Sequence, residues 1–251
     1  MSMVFYSEKK TDVVSIKWSD KTINLIFYRF GNDLNSEGTP TLKSQEQIKR
    51  LMIRILVISF GLFINGIGLA FLYSVELGSS PMGTFADGLH NLLHISQGNA
   101  NILANAVFLL VLLILARKHI SVGTVLCTFM LGLYVNLASA VIGPLNLVSL
   151  AFPYRIAVSA VGTLLMGVGL GIYVAVDFGL GPLEAIVAII YQHSKLKYKT
   201  AKIIFDALLG ILGIVFGGKI GVGTVISILC TGMVMDPIIN KTKPFLAKIK
   251  G

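Results

Sequence analysis

"VELGSSPMG", residues 75–83, closes a long apolar run, and "VDFGLGPLE", residues 176–184, closes another in the same way. Each packs acid, glycine and proline into about two helical turns. Proline suits the first turn of a helix, where its missing N–H would go unpaired anyway. Each stretch therefore reads as a break, where one long helix stops and a short one starts at the proline. The short helices are expected over Pro81–Ile95 and Pro182–His193.

The two breaks belong to a longer internal repeat. Laid over Arg155–Leu183 without gaps, Arg54–Met82 matches Arg54 to Arg155, Gly61 to Gly162, Gly66 to Gly167, Gly68 to Gly169, Gly78 to Gly179 and Pro81 to Pro182. Glu76 falls on Asp177. Further on, Asn105-Ala106 meets Asp206-Ala207, "ISVGTV" (120–125) meets "IGVGTV" (220–225), and Asn136 meets Asp236. Small residues recur in any membrane helix interface, but an ordered series of Arg, Gly, Pro, Gly-Thr and Asn/Asp does not. The chain is two copies of one unit.

Composition says where the units sit. Of 251 residues 55% are hydrophobic and 13% charged, and the mean hydropathy is +0.81. Residues 1–50 hold six of the twelve acids and eight of the twenty-one basic residues. A hydrocarbon core takes about 20 apolar residues per helical span. Leu51–Val75, Ile102–Ala116, Ile120–Ile142, Ile156–Val176, Ile203–Phe216 and Ile220–Met235 approach that length with their flanks. The short helices are too short and too polar to cross, and read as re-entrant. The expected fold is an all-α membrane protein with six transmembrane helices in two inverted three-helix repeats, each repeat carrying one re-entrant helix.

With the N-terminus inside, Lys49, Arg50, Arg117, Lys118, Lys195, Lys197, Lys199, Lys202 and the lysines after Asn240 face the cytoplasm, leaving Arg155 and Lys219 outside. Were the short helices to cross, eight spans in parallel repeats would result. The expected organisation is a polar cytoplasmic tail (1–50), a first membrane unit (51–142), a connecting loop (143–153), a second unit (154–240) and a basic cytoplasmic tail (241–251). Val13–Trp18 and Thr22–Tyr28 have strand-like composition, but a lone hairpin is marginal in water, so the tail is read as poorly ordered. No cleavable signal peptide is expected, because the first fifty residues are polar and mixed in charge. Both cysteines, Cys127 and Cys230, fall in expected spans and read as packing. The basic residues border spans, as cytoplasmic loops do, so nucleic acid is not an expected partner; the lipid bilayer is.

The order of these elements resembles the YczE/YyaS/YitT family of bacterial membrane proteins. It is carried by Gly78, Pro81, Gly179-Leu180-Gly181-Pro182, Val122-Gly123-Thr124, Val222-Gly223-Thr224 and Asp236. It spans roughly residues 51–240 and is nearer the YczE branch, since no soluble domain follows the last span. Members often carry an aromatic and an acid after the proline; here Met82-Gly83 and Leu183-Glu184 stand there, so only the second copy keeps the acid. The resemblance implies an integral protein of the bacterial cell membrane and admits transport, with no assigned substrate.

Six acids lie in the membrane region. Ionisable groups there are costly and usually face a cavity or a partner. In the inverted arrangement Asp177, Glu184, Asp206 and Asp236 approach the inner side, mirrored outside by Glu76, Gly83, Asn105 and Asn136. These acids and amides are the candidate substrate- or ion-binding residues. The competing explanation is interfacial, with Asp177 and Glu184 complementing a helix dipole. Asp87, His90 and His94 share a helical face with ligand chemistry. The second copy offers Ala188, Tyr191 and Lys195 there, so polar lining is expected rather than metal. No cofactor is expected, and no nucleophile elbow, phosphate loop or zinc helix suggests an enzyme. The favoured function is transport of an unspecified small molecule or ion. The alternative is a non-transporting accessory that docks another membrane-associated enzyme; a homo-oligomer is compatible with either.

Overall fold

The computed structural model describes residues 42–115, 120–176, 178–179, 181–194 and 198–250. The possible hairpin of the N-terminal tail, Asp177, Arg117, Lys118, Lys195 and Lys197 lie outside them. Among the described residues there are eight α-helices and no strand: α1 (Leu42–Ser74), α2 (Pro81–Leu93), α3 (Gln97–Leu115), α4 (Val122–Ile142), α5 (Phe152–Ala175), α6 (Pro182–His193), α7 (Tyr198–Val215) and α8 (Val222–Lys250). The two short helices fall where the prolines place them. Helix α1 starts nine residues before the expected membrane unit, because Leu42–Arg50 contains good helix formers that extend a helix already nucleated by the span.

Among the described residues five helices are long and apolar enough to cross a membrane: Ile48–Ser74, Gln97–Ile114, Gly123–Leu145, Phe152–Ala175 and Val222–Pro244. The chain is a multi-pass membrane protein. Helix α7 has 18 residues, about 27 Å of rise, but its first half carries Lys199, Lys202 and Asp206.

The core is built on the pairing of α1 with α5, flanked by α4 against α1 and α8 against α5. Glycine makes this approach possible. A Cβ on Gly61 would meet the Gly169 carbonyl, and one on Gly68 would meet the Gly162 carbonyl. The contact order rises along α1 while it falls along α5, so these two helices run antiparallel. Around the glycines, Ile58, Leu62, Leu69, Leu72, Met166 and Tyr173 are buried. Each short helix crosses to the other half, α2 packing on α7 and α6 on α3. Phe85, Phe108, Phe205 and Phe216 fill the space among α2, α3 and α7, with ring centroids 5.9–6.1 Å apart. Outward faces are apolar, as Met52, Leu56 and Phe60 on α1 and Leu133, Leu137 and Val141 on α4 illustrate.

Candidate functional site

The breaks form because glycine permits what other residues resist. Gly78 and Gly179 hold φ of +89° and +116°, and their lack of a side chain admits the hydroxyls of Thr224 and Ser121. Here the halves interlock. The Gly223 N–H donates to the Leu77 carbonyl at 2.9 Å, and the Gly123 N–H donates to the Phe178 carbonyl at 3.3 Å. Each break thus satisfies a free N–H at the start of the other half's last helix. Ser121 and Thr124 also close a capping box on α4. The matched arginines reach across as well. Arg155 donates from Nε and Nη2 to the Val75 carbonyl at 3.0 and 2.6 Å, while the Arg54 guanidinium lies 5.8 Å from the Phe178 ring centre.

Beside the first break lies a cavity of about 120 Å³, lined by Tyr73, Glu76, Ser79, Asp87, His90, Asn91, Gln97 and Lys219 among others. Glu76 and Lys219 pair at 2.6 Å, both half-exposed. Glu76 holds a φ of +53°, a left-handed turn that glycine or asparagine usually takes after a helix. Asp87 is only 8% exposed and accepts the Lys219 backbone N–H at 2.8 Å. Asn91 donates to the Gly217 carbonyl at 2.7 Å, so α2 grips the turn before α8 at two points. Burial pushes the Asp87 carboxyl above the usual carboxylate range, against the lowering pull of the Lys219 N–H and of the His90 and Lys219 charges; Glu76 adds to the rise. The His90 Nδ1 contacts the Ile95 carbonyl, which can only accept, so Nδ1 carries a proton and Nε2 is the nitrogen that can accept whenever it carries none. The Ser79 hydroxyl, on a residue 1% exposed, has no hydrogen-bond partner among the described residues.

A polar chain runs away from the cavity. Asn105 donates to the Asn101 carbonyl at 3.0 Å, Asn101 to the Tyr73 hydroxyl at 3.0 Å, and Tyr73 to the Gly83 carbonyl at 3.3 Å. Asn136 works elsewhere. Its Oδ1 accepts the Gly98 N–H and its Nδ2 donates to Asn99, both at 2.9 Å, capping the first turn of α3 from α4.

In the second half, the Glu184 carboxylate lies back against Gly181 at the start of its own helix, near Cys127 Sγ. That placement complements the α6 dipole. Asp206 pairs with Lys202 one turn earlier at 2.8 Å. Asp236 is half-buried just before Pro237. Among the described residues no three His, Cys, Asp or Glu side chains are grouped to hold a metal ion. His94 does not continue the helical face of Asp87 and His90, because it ends α2 with a φ of +53°.

Glu76 and Asp87 stand out in the sequence as candidate site residues; Lys219, Ser79, Tyr73 and Asn101 do not. Lys219 was legible only as a lone charge between apolar runs. Ser79 and Tyr73 carry no pattern that separates them from ordinary packing.

The sequence profile of the group described as "Family of unknown function (DUF6198)" matches residues 52–240. The chain belongs to that family. It is also 26% identical over 200 residues to the uncharacterized protein YyaS of Bacillus subtilis, covering 78% of this chain and 98% of that one. To an uncharacterized protein of Haemophilus influenzae it is 25% identical over 186 residues, covering 74% and 83%. The uncharacterized membrane protein YczE of B. subtilis is 22% identical over 181 residues, covering 72% and 80%. No solved structure matches the chain. These relatives agree with the YczE/YyaS resemblance of the motifs, and the DUF6198 match omits the polar N-terminal tail as the repeat does.

Proposed function

We propose that this DUF6198 member is a transporter for a small molecule or ion, built of two inverted units of three spans each. One observation carries the reading: repeat-matched glycines meet across an antiparallel α1–α5 pair, while each unit's break seats the other unit's last helix. Inverted-repeat transporters place their sites at such broken helices and rock one bundle against the other. Helix α7 serves as the sixth span. Its Ile203, Ile204, Leu208, Ile211 and Val215 are exposed, as a lipid-facing row would be, and Lys202 neutralises Asp206. In this reading α2 and α6 are re-entrant and both termini are cytoplasmic. Glu76, Asp87 and Lys219 serve the outer half-site, and Asp177, Glu184 and Asp236 the inner one.

The test compares small molecules accumulated by cells with and without the protein, then follows any changed compound into vesicles reconstituted with the purified chain. Uptake that needs the protein alone supports transport. Protein correctly inserted, with a cellular change that no vesicle reproduces, would favour the accessory role.

A further inference from the structure

The cavity beside the first break has a chemical bias that transport in general does not explain. Glu76 and Lys219 neutralise each other at 2.6 Å, which leaves Asp87 as the uncompensated charge of the lining. Its one recorded bond is to a backbone N–H, and no lysine or arginine side chain pairs with it among the described residues. The Ser79 hydroxyl is buried, lines the same space and has no partner. Buried polar atoms are seldom left so, because an unmet hydrogen bond is costly. His90 adds an acceptor nitrogen. The lining thus combines one negative charge with spare acceptors, the complement of a cation rich in N–H donors. Its volume of about 120 Å³ is well below a typical drug-sized pocket. At about 30 Å³ per water it holds some four waters' worth.

The repeat explains how this half comes to have the space. Gly83 stands where the second half has Glu184, and a Cβ there would collide with the Ser79 hydroxyl. In the second half the Glu184 carboxylate lies back against Gly181, the repeat counterpart of Ser80; the first half has no carboxylate at that position and sets its acid one turn later, at Asp87.

We propose that this cavity binds a small ammonium-type cation, with Asp87 as counter-charge and Ser79 and His90 as hydrogen-bond partners. The proposal rests on the transporter reading for its purpose but not for its test.

The full-length chain, purified in detergent, is titrated at constant ionic strength with ammonium or methylammonium chloride, replacing N-methylglucamine chloride. The unfolding midpoint should rise saturably, since a ligand that binds only the folded state stabilises it. Ser79→Ala should weaken half-saturation about threefold, and Asp87→Asn about tenfold or more, as lost neutral and charge-assisted hydrogen bonds do. Gly210→Ala, with no atom within 4 Å of the added methyl, should bind as the parent does. The rise should fade on acidification as Asp87 takes a proton, with Tyr73, Glu76, His90 and Lys219 as the titratable groups around it. An equal response to N-methylglucamine, a response to sodium in place of ammonium, or an unchanged response in Asp87→Asn would overturn the proposal. Should Asp87→Asn not fold, an unchanged half-saturation in Ser79→Ala overturns it. Saturable binding without uptake in vesicles would instead leave this inference standing and sink transport.

Discussion

Arg155 and Gly68 show how single residues hold the two halves together. The Arg155 fork gives the Val75 carbonyl, at the end of α1, the donors that the helix itself no longer supplies. Arg155→Gln should lower stability by about 1–3 kcal/mol, the cost of a broken charge-assisted bond. Arg155→Lys should fall between, keeping charge without the planar fork. Thermal unfolding in detergent ranks the three proteins, and equal midpoints would remove Arg155 from the account. Gly68 acts by absence. A Cβ there would lie 2.5 Å from the Met166 nitrogen and 2.6 Å from the Gly162 carbonyl, both backbone atoms that cannot yield alone. Gly68→Ala should destabilise by about 1–3 kcal/mol through overpacking. Gly210→Ala on α7 meets nothing within 4 Å and should change little. The same melts test both, and a harmless Gly68→Ala would mean that α1 and α5 do not approach as described.

At the scale of elements, α3 and α7 solve one problem in two ways. Where α3 has Asn101 and Asn105, its repeat partner has Lys202 and Asp206, so an amide pair stands opposite an ion pair. Removing one member of an ion pair leaves the other charge uncompensated. Asp206→Asn alone should therefore cost more than the double change Lys202→Asn with Asp206→Asn, by about 1 kcal/mol for a partly buried pair. A double-mutant cycle on the unfolding midpoint reads this directly. Strict additivity would show that the two side chains act independently, despite their 2.8 Å separation. Preserved transport in the double variant would agree with Asp206 standing outside the inner half-site, and lost transport in a well-folded double variant would place it there.

For the whole molecule the decisive quantity is which loops share a side. The proposed inverted arrangement predicts that residues 143–153 face outside and that Arg117 faces inside. With Cys230 replaced to silence it, Ser149→Cys should react with an impermeant thiol reagent added to intact cells, and Arg117→Cys should not. Ser149 is exposed, and Cys127 is buried enough to stay quiet. The reverse labelling would mean that α2 and α6 cross the membrane and that the units are parallel.

Several features were settled by sequence because they rest on local chemistry. Proline and glycine fix where a helix ends and the next begins, so both short helices could be placed to within two residues at either end. Apolar length gave five of the six expected spans, Ile203–Phe216 falling short because Lys199, Lys202 and Asp206 share its helix, and the order of matched residues gave the family. Partnership was not legible, because it depends on which residues meet across the fold. Lys219 looks like a stray surface charge until the α7–α8 turn folds over α2 and brings its side chain to Glu76 and its N–H to Asp87. Asn136, read beside Glu76 and Asn105 as part of one mirror set, caps α3 instead, since α4 lies against that helix's first turn. Tertiary structure alone decided that each break would cap the other half's last helix, because residues far apart in the chain, Leu77 with Gly223 and Gly123 with Phe178, meet only once the helices pack.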